Sequence, residues 1–384
     1  MTKENKTYCL FSAQYLPYLG GVESYTQNLA KTLIEKGNKV IVVTSNTHQL
    51  EPIEEESDLT IVRLPCHNLF EGRLPLPRKN AAYKRLLRYL DTRQIDHIIV
   101  NTRFYPHSLL GVKMACRRGV RPIVIDHGSA YIAFGNPLID VFVVLWEHWF
   151  TARMKKYPLD FYAVSSKGIN WLKTFGITGL GVLNNSIDAS AFLAQSSARS
   201  IRDEHQIPQD AFVVAFIGRL ISVKGIKQLL QAAKQLESFT DIRFLFAGEG
   251  PYAPAIEQGG DNVILIGKLN TADVAAFLKE SDVLCLPSRS EGFSTTLLEA
   301  AACALPIIST EVGGAKEIMP NESFGTIIPD ATPQAIKKAL LSMYNNKAKA
   351  KAQGLKAQAR VQQEFSWNKT TQKVIEACQS TQQV

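Results

Sequence analysis

Cysteine is scarce and scattered in this 384-residue chain, with Cys9, Cys66, Cys116, Cys285, Cys303 and Cys378 far apart and no C-x-x-C pair. That spacing excludes a zinc ribbon and a disulfide framework, and predicts reduced core thiols. Long apolar runs are missing as well. The nearest, Pro137–Phe150, is broken by Asp140, Glu147 and His148, short of the roughly 20 uncharged residues of a spanning helix. The N-terminus, Met-Thr-Lys-Glu-Asn-Lys, leads into only a short apolar run at Tyr8–Phe11, without the core of a secretory signal, so the expected location is the cytoplasm. There is no low-complexity tract, and 46% hydrophobic against 20% charged residues is a globular composition. The length suits two or three domains.

Acidic residues run short in one half only. Residues 1–185 carry 23 Lys and Arg against 15 Asp and Glu, whereas residues 186–384 carry 20 of each, so the net charge of +8 belongs to the first half. Between Arg73 and Arg121, twelve basic residues (Arg73, Arg78, Lys79, Lys84, Arg85, Arg88, Arg93, Arg103, Lys113, Arg117, Arg118, Arg121) face only Asp91 and Asp96. A field of that sign attracts a polyanion or an anionic membrane surface.

β-branched runs alternate with helical patterns almost throughout, which predicts an α/β fold of two doubly wound, Rossmann-like parallel-sheet domains. Expected strands in the first are Tyr8–Ala13, Lys39–Thr44, Thr60–Leu64, His97–Val100, Pro122–Asp126, Phe161–Val164 and Gly181–Leu183. In the second they are Phe212–Ile217, Arg243–Ala247, Val263–Ile266, Val283–Leu286, Ile307–Ser309 and Thr326–Ile328. Turn formers at Asn184–Asp188 mark the join, giving domains 1–185 and 186–366. Ligands of open α/β sheets bind beyond the carboxyl ends of the strands, which makes the cleft between two such domains the expected site.

Four segments carry candidate chemistry. Gly20-Gly21-Val22-Glu23 follows the first strand and opens a helix with Val22, Tyr25, Leu29 and Leu33 in step, where the free N–H groups suit an anion; a plain turn is the alternative. Gly218-Arg219-Leu220-Ile221-Ser222-Val223-Lys224-Gly225 puts two cations on one strand-end loop, fit for a diphosphate or simply solvated. Gly248-Glu249-Gly250-Pro251-Tyr252-Ala253 satisfies the dinucleotide pattern, but the next strand ends Ile266-Gly267-Lys268 with no ribose-holding acid, so a tight turn with Pro251 in the first helical turn is preferred. Ser290 to Glu299 sets Glu291 before, and Glu299 within, a helix expected over Thr296–Ala304. Gly292, Phe293, Ser294 and Thr295 present N–H groups between them, and a capping box of Thr296 with Glu299 is the bland alternative.

Taken in order, G-G-V-E at 20–23, His127, the joint ending in Asp188, G-R-L-x-x-x-K-G at 218–225, A-G-x-G-P at 247–251, E-x7-E at 291–299, E-V-G-G at 311–314 and F-S-W at 365–367 resemble the retaining nucleotide-sugar glycosyltransferases of family 4. The resemblance spans nearly the whole chain. It implies the GT-B fold, with a last helix (367–384) that crosses back to the first domain, and an acceptor-binding first domain beside a donor-binding second. It also implies roles: Gly20 and Gly21 near the donor phosphates, Gly218, Arg219 and Lys224 at the diphosphate, Glu291 and Gly292–Thr295 at the donor sugar and phosphates, Glu299 at the ribose, and His127 at the transferred sugar. The joint reads Asn-Ser-Ile-Asp where Asn-Gly-(Val/Ile)-Asp is more usual in that family.

The resulting expectation is a retaining, metal-independent hexosyltransferase. No D-x-D pair is present to hold a metal, and no cofactor is expected. Its donor would be a nucleoside diphosphate sugar, a UDP-sugar on family frequency. A lipid-linked saccharide of a bacterial envelope polysaccharide would be the acceptor, met at the inner face of the cytoplasmic membrane. Residues 78–93 read as a basic amphipathic helix for that surface, with Leu86, Leu87 and Leu90 on one side, and Pro137–Lys156 as a crossover helix more buried than lipid-facing. A nucleotide-sugar epimerase or hydrolase is the rival on the same fold. A nucleic-acid-binding protein is the rival from another class, disfavoured because the basic stretch lacks stacking aromatics.

Overall fold

The computed structural model describes residues 5–18, 20–69, 72, 74–131 and 136–380. The chain divides into two compact units, Met1–Asn184 with Trp367–Val384, and Asn185–Ser366.

The first unit contains β1 (Thr7–Phe11), α1 (Gly21–Glu35), β2 (Lys39–Ser45), β3 (Ile53–Glu56), β4 (Leu59–Leu64), β5 (Cys66–Leu69), β6 (Leu74–Pro77), α2 (Ala81–Asp91), β7 (His97–Asn101), α3 (Pro106–Arg117), β8 (Ile123–Asp126), α4 (Pro137–Met154), β9 (Asp160–Ala163) and α5 (Ser166–Leu172). Seven strands form one sheet in the order β3-β4-β2-β1-β7-β8-β9, parallel except for β3. Its central strands are buried on both faces, which is why they read as unbroken apolar runs. Six expected strands form. The seventh, Gly181–Leu183, is reduced to a single bridge between Ala163 and Val182. Two features had no apolar signature. The edge strand β3 reads Ile-Glu-Glu-Glu, charged as an unpaired edge tends to be, and β6 carries Pro75 and Pro77 in a two-stranded ribbon with β5.

The helices of this unit revise the charge picture. Asn80 caps α2, whose Tyr83, Leu86 and Leu90 are buried, so the apolar side expected to meet lipid packs on the unit's own core, leaving Lys84, Arg85 and Arg88 outside. Conversely α4 is not a buried crossover helix. Val143, Glu147, Phe150, Thr151 and Met154 are buried, while Leu138, Val141, Phe142, Leu145 and Trp149 are exposed.

The basic field is thinner than its sequence count. Arg103 is fully buried, Arg93 pairs with Glu55, Arg118 with Asp91 and Arg121 with Asp160; the acids at 55 and 160 come from outside the stretch. Arg73 lies outside the described residues.

The second unit holds α6 (Ala189–Ala194), α7 (Ile201–Glu204), β10 (Phe212–Ile217), α8 (Ile226–Lys234), β11 (Ile242–Ala247), α9 (Ala253–Glu257), β12 (Val263–Gly267), α10 (Thr271–Lys279), β13 (Val283–Leu286), α11 (Thr295–Ala302), β14 (Ile307–Thr310), α12 (Ala315–Ile318), β15 (Thr326–Ile328), α13 (Pro333–Asn345) and α14 (Lys347–Glu364). All six expected strands form one parallel sheet ordered β12-β11-β10-β13-β14-β15.

The final helix, α15 (Trp367–Ser380), returns to the first unit; residues 381–384 of the segment expected there lie outside the described residues. The Trp367 ring meets Tyr25 of α1 edge-on with centroids 5.3 Å apart, and the Thr370 hydroxyl donates to the Asn184 carbonyl at 3.1 Å. At the joint, Ser186 keeps an ordinary negative φ, so serine stands there without strain where the family's usual residue is glycine. Asp188 then caps α6 by accepting from the Ala191 N–H at 2.9 Å.

Candidate active site

On the second unit the expected residues gather at the carboxyl ends of β10 and β13. The loop after β10 is held on the loop after β11 backbone to backbone: the Gly218 N–H donates to the Ala247 carbonyl at 3.0 Å, and the Leu220 N–H to Glu249 at 2.8 Å. That packing explains the G-x-G of 248–250. A Cβ on Gly248 would lie 1.9 Å from the Gly218 oxygen and one on Gly250 2.5 Å from the Leu220 oxygen, so these glycines let two loops touch. Pro251 precedes the following helix, and Pro254 takes its first turn instead.

The Arg219 side chain is exposed and makes no ion pair or hydrogen bond among the described residues, while its carbonyl accepts from the Ile221 N–H at 2.9 Å. Lys224 is held instead: its Nζ lies 2.5 Å from Glu291 Oε1, and both side chains are mostly buried. Two groups 67 residues apart thus form one pair between the two strand ends.

The Glu291 loop has its own glycine support. A Cβ on Gly313 would lie 1.9 Å from the Gly292 oxygen, the Gly313 N–H donates to the Glu291 carbonyl at 3.2 Å, and Phe293 packs on Gly314, whose φ is +90°. The E-V-G-G segment at 311–314 is therefore a buttress that sets the height of the 291–294 loop.

Helix α11 starts at Thr295, one residue before its expected start, and its N-cap Ser294 gives no side-chain cap. Glu299 falls at the fifth helical position, two beyond the place a capping box needs, so the Thr296 capping box does not form. No hydrogen bond or ion pair engages the Glu299 carboxylate among the described residues, and burial pushes its pKa up to about 7.

The remaining candidates lie on the first unit. His127 follows β8, and its Nε2 is 2.9 Å from Asn101 Oδ1. The Thr26 hydroxyl donates to the Val22 carbonyl at 2.8 Å, so it must accept from Asn101 Nδ2 at 2.9 Å, which turns Asn101 Oδ1 toward the histidine. This chain assigns the proton to Nε2 and leaves Nδ1 as an acceptor. Burial lowers the His127 pKa to about 3, so the ring is neutral at physiological pH.

The strand end that carries His127 is clamped by a buried cluster around Arg103, a residue that the sequence count places in the basic stretch. Arg103 donates through Nη1 to Asp126 at 2.8 Å and through Nη2 to Glu147 of α4 at 2.7 Å, all three side chains being buried, with its guanidinium 3.8 Å from the Phe175 ring centre. The signal available in the sequence was an acid at the end of an apolar strand (Asp126) and another inside an apolar helix (Glu147), neither of which is buried without a cation.

Gly20 is the N-cap of α1, and Glu23 reaches back over it; a Cβ on Gly20 would lie 2.6 Å from Glu23 Oε2. Burial lifts the Glu23 carboxyl to about 7, opposed by backbone N–H bonds at Gly20 and Glu23. Gly21 is different: its φ is ordinary and a Cβ there would meet nothing within 4 Å.

Two family profiles match the chain, "Glycosyltransferase Family 4" over residues 19–191 and "Glycosyl transferases group 1" over residues 197–361. The chain is a family 4, group 1 glycosyltransferase. Among relatives of this glycosyltransferase, an uncharacterised one from Methanocaldococcus jannaschii is 22% identical, over 94% of this chain and 95% of its own. One human protein, a component of phosphatidylinositol N-acetylglucosaminyltransferase, is 27% identical, over 82% of this chain and 63% of its own. In fold, the present chain superposes on sucrose-phosphate synthase of Thermosynechococcus elongatus with a TM-score of 0.75 at 18% identity, covering 98% and 99% of the two chains. HepE of Anabaena, solved in complex with UDP, gives 0.73 at 16%, covering 98% and 100%. The glycosyltransferase has the two-domain GT-B fold of these neighbours.

Proposed function

We propose that this glycosyltransferase moves a sugar from a UDP-sugar to a hydroxyl of a lipid-linked saccharide at the inner face of the cytoplasmic membrane, in envelope polysaccharide synthesis, with retention of configuration and without a metal. The observation that carries the reading is that Arg219, the Lys224–Glu291 pair and the start of α11, which has no side-chain cap, all lie at the adjoining strand ends of β10 and β13. The UDP and UDP-glucose bound to the Anabaena neighbour support the donor class, and the phosphatidylinositol in the human relative's name supports a lipid-borne acceptor.

In this reading Arg219 forks two diphosphate oxygens and Lys224 supplies a point charge. Gly292 to Thr295 offer backbone N–H groups to the phosphates, Glu291 accepts from sugar hydroxyls and Glu299 from the ribose. Arrival of the diphosphate draws Lys224 away from Glu291, which frees that carboxylate for the sugar. Nothing in the backbone or packing demands glycine at position 21, so close approach of a donor phosphate accounts for it. His127 accepts through Nδ1 from a sugar hydroxyl. The acceptor oxygen bonds to the anomeric carbon on the face from which the diphosphate departs; as the C1–O bond breaks, the leaving phosphate oxygen takes the acceptor's proton. The cations and the helix start stabilise the charge left on the diphosphate, the work a metal does elsewhere.

The test is transfer in excess chelator together with Arg219→Ala. Transfer should persist with chelator and fall by about a hundredfold or more in the variant, the usual loss when one preorganised charge-stabilising group is removed. Because Arg219 is exposed and unpartnered, the variant should melt with wild type. Near-normal turnover of the variant, or metal-dependent transfer, overturns the reading.

A further inference from the structure

Helix α4 is apolar almost all round, and a helix of that kind needs cover on every side. The unit covers one side through Val143, Phe150, Met154 and the Glu147–Arg103 bond. The other side stands open. Leu138 is 84% exposed, Val141 61%, Phe142 52%, Leu145 64% and Trp149 52%, at steps of three, one, three and four residues that keep them on one face. Half of the ten large exposed hydrophobic residues of the described structure lie on this stripe.

The charge along the same helix identifies what covers it. Its two acids are withdrawn, Glu147 into the buried cluster and Asp140 half-buried, while Arg153, Lys155 and Lys156 are exposed at the carboxyl end. The Arg153 guanidinium lies 4.6 Å from the centre of the Trp149 ring, at the point where the apolar stripe gives way to cations. A second copy of this face would bring more cations and no exposed anion, whereas a lipid headgroup layer supplies the anions and the acyl layer takes the stripe. Trp at the border between an apolar body and basic residues is the pattern of an interfacial anchor.

We propose that α4 is a membrane-insertion helix, its Leu138–Trp149 stripe entering the acyl boundary of an anionic bilayer while Arg153 and Lys156 engage the headgroups. The proposal deepens, and rests on, the membrane part of the function given above. It also divides the labour: the outer face of α2 attracts the chain to the surface, and α4 keeps it there by burial, which salt does not screen.

The test uses the full chain with vesicles of phosphatidylcholine alone or mixed with phosphatidylglycerol, some carrying bromine on the acyl chains. Wild type should float with the anionic vesicles, stay partly bound in 1 M salt, and lose Trp fluorescence to brominated chains. Trp149→Phe should lose that quenching. Val141→Glu with Leu145→Glu, both at exposed positions, should melt with wild type yet partition roughly a hundredfold less. Reversal of Lys84, Arg85 and Arg88 to Glu should weaken capture at low salt and leave the quenching of bound protein unchanged.

Complete release of wild type by salt, quenching that survives Trp149→Phe, or a wild-type dimer that the double variant makes monomeric would each overturn the proposal, the last in favour of a second copy. Quenching without transfer to a lipid-linked acceptor would sink the transfer reading and leave insertion standing. Transfer in detergent with no quenching in vesicles would do the reverse.

Discussion

Glu299 shows how a single side chain can hold opposing demands. Its carboxyl is desolvated and unpartnered, and its pKa sits near 7 rather than at the usual 4.5. A carboxylate raised in the folded state binds more protons there than in the unfolded chain, so its contribution to stability falls as pH rises from about 4.5 through about 7. Glu299→Gln, which mimics the protonated form, should therefore melt higher than wild type at pH 8 and close to it at pH 5, while nucleoside diphosphate affinity falls at pH 8. Calorimetry and titration check both; equal melting at pH 8 would show that Glu299 carries no burial penalty. Glu299 stood out by spacing, but its environment did not, because a T-x-x-E tetrapeptide is the same string whether its Thr is the N-cap or the second residue of the helix. Arg103 was misplaced for a related reason: its two carboxylate partners sit 23 and 44 residues downstream, and local charge counting sees neither.

At the level of the element, glycines divide into those the fold requires and those it does not. Gly248 and Gly313 each bring a backbone within reach of another loop, and a methyl group there would collide with a carbonyl oxygen at 1.9 Å. Gly248→Ala should cost on the order of 2–3 kcal/mol of stability in the second unit, because backbone on both sides must move. Gly21→Ala should change stability by only a few tenths of a kcal/mol, since a Cβ meets nothing and φ is ordinary. If a donor phosphate approaches that backbone, the same substitution should raise KM or lower kcat. Melting curves alongside steady-state kinetics separate the two cases, and full activity of Gly21→Ala would remove Gly21 from the site. Strands with buried faces were readable because apolar runs imply them; β3 and β6 were not, since an edge is selected for charge and proline rather than for burial.

For the whole molecule, α15 completes a unit that begins more than three hundred residues earlier. Its Trp367, Val374, Ala377 and Cys378 are buried, and Trp367 packs on Tyr25. Deleting residues 367–384 should remove on the order of 5 kcal/mol from the first unit, at roughly 1.5–3 kcal/mol for each large buried side chain, and leave the second unit's unfolding transition in place. Calorimetry reads the two transitions; an unshifted first unit would mean that α15 is dispensable. The sequence by itself determined the α/β class and both parallel sheets, because buried strands write their requirements into local composition. Tertiary structure alone decided which charges remain at the surface, that Lys224 and Glu291 form one pair, that the G-x-G of 248–250 supports a loop, and that α4 leaves an apolar face uncovered. Each of these depends on distances between residues tens of positions apart, and packing sets those distances while local sequence is silent about them.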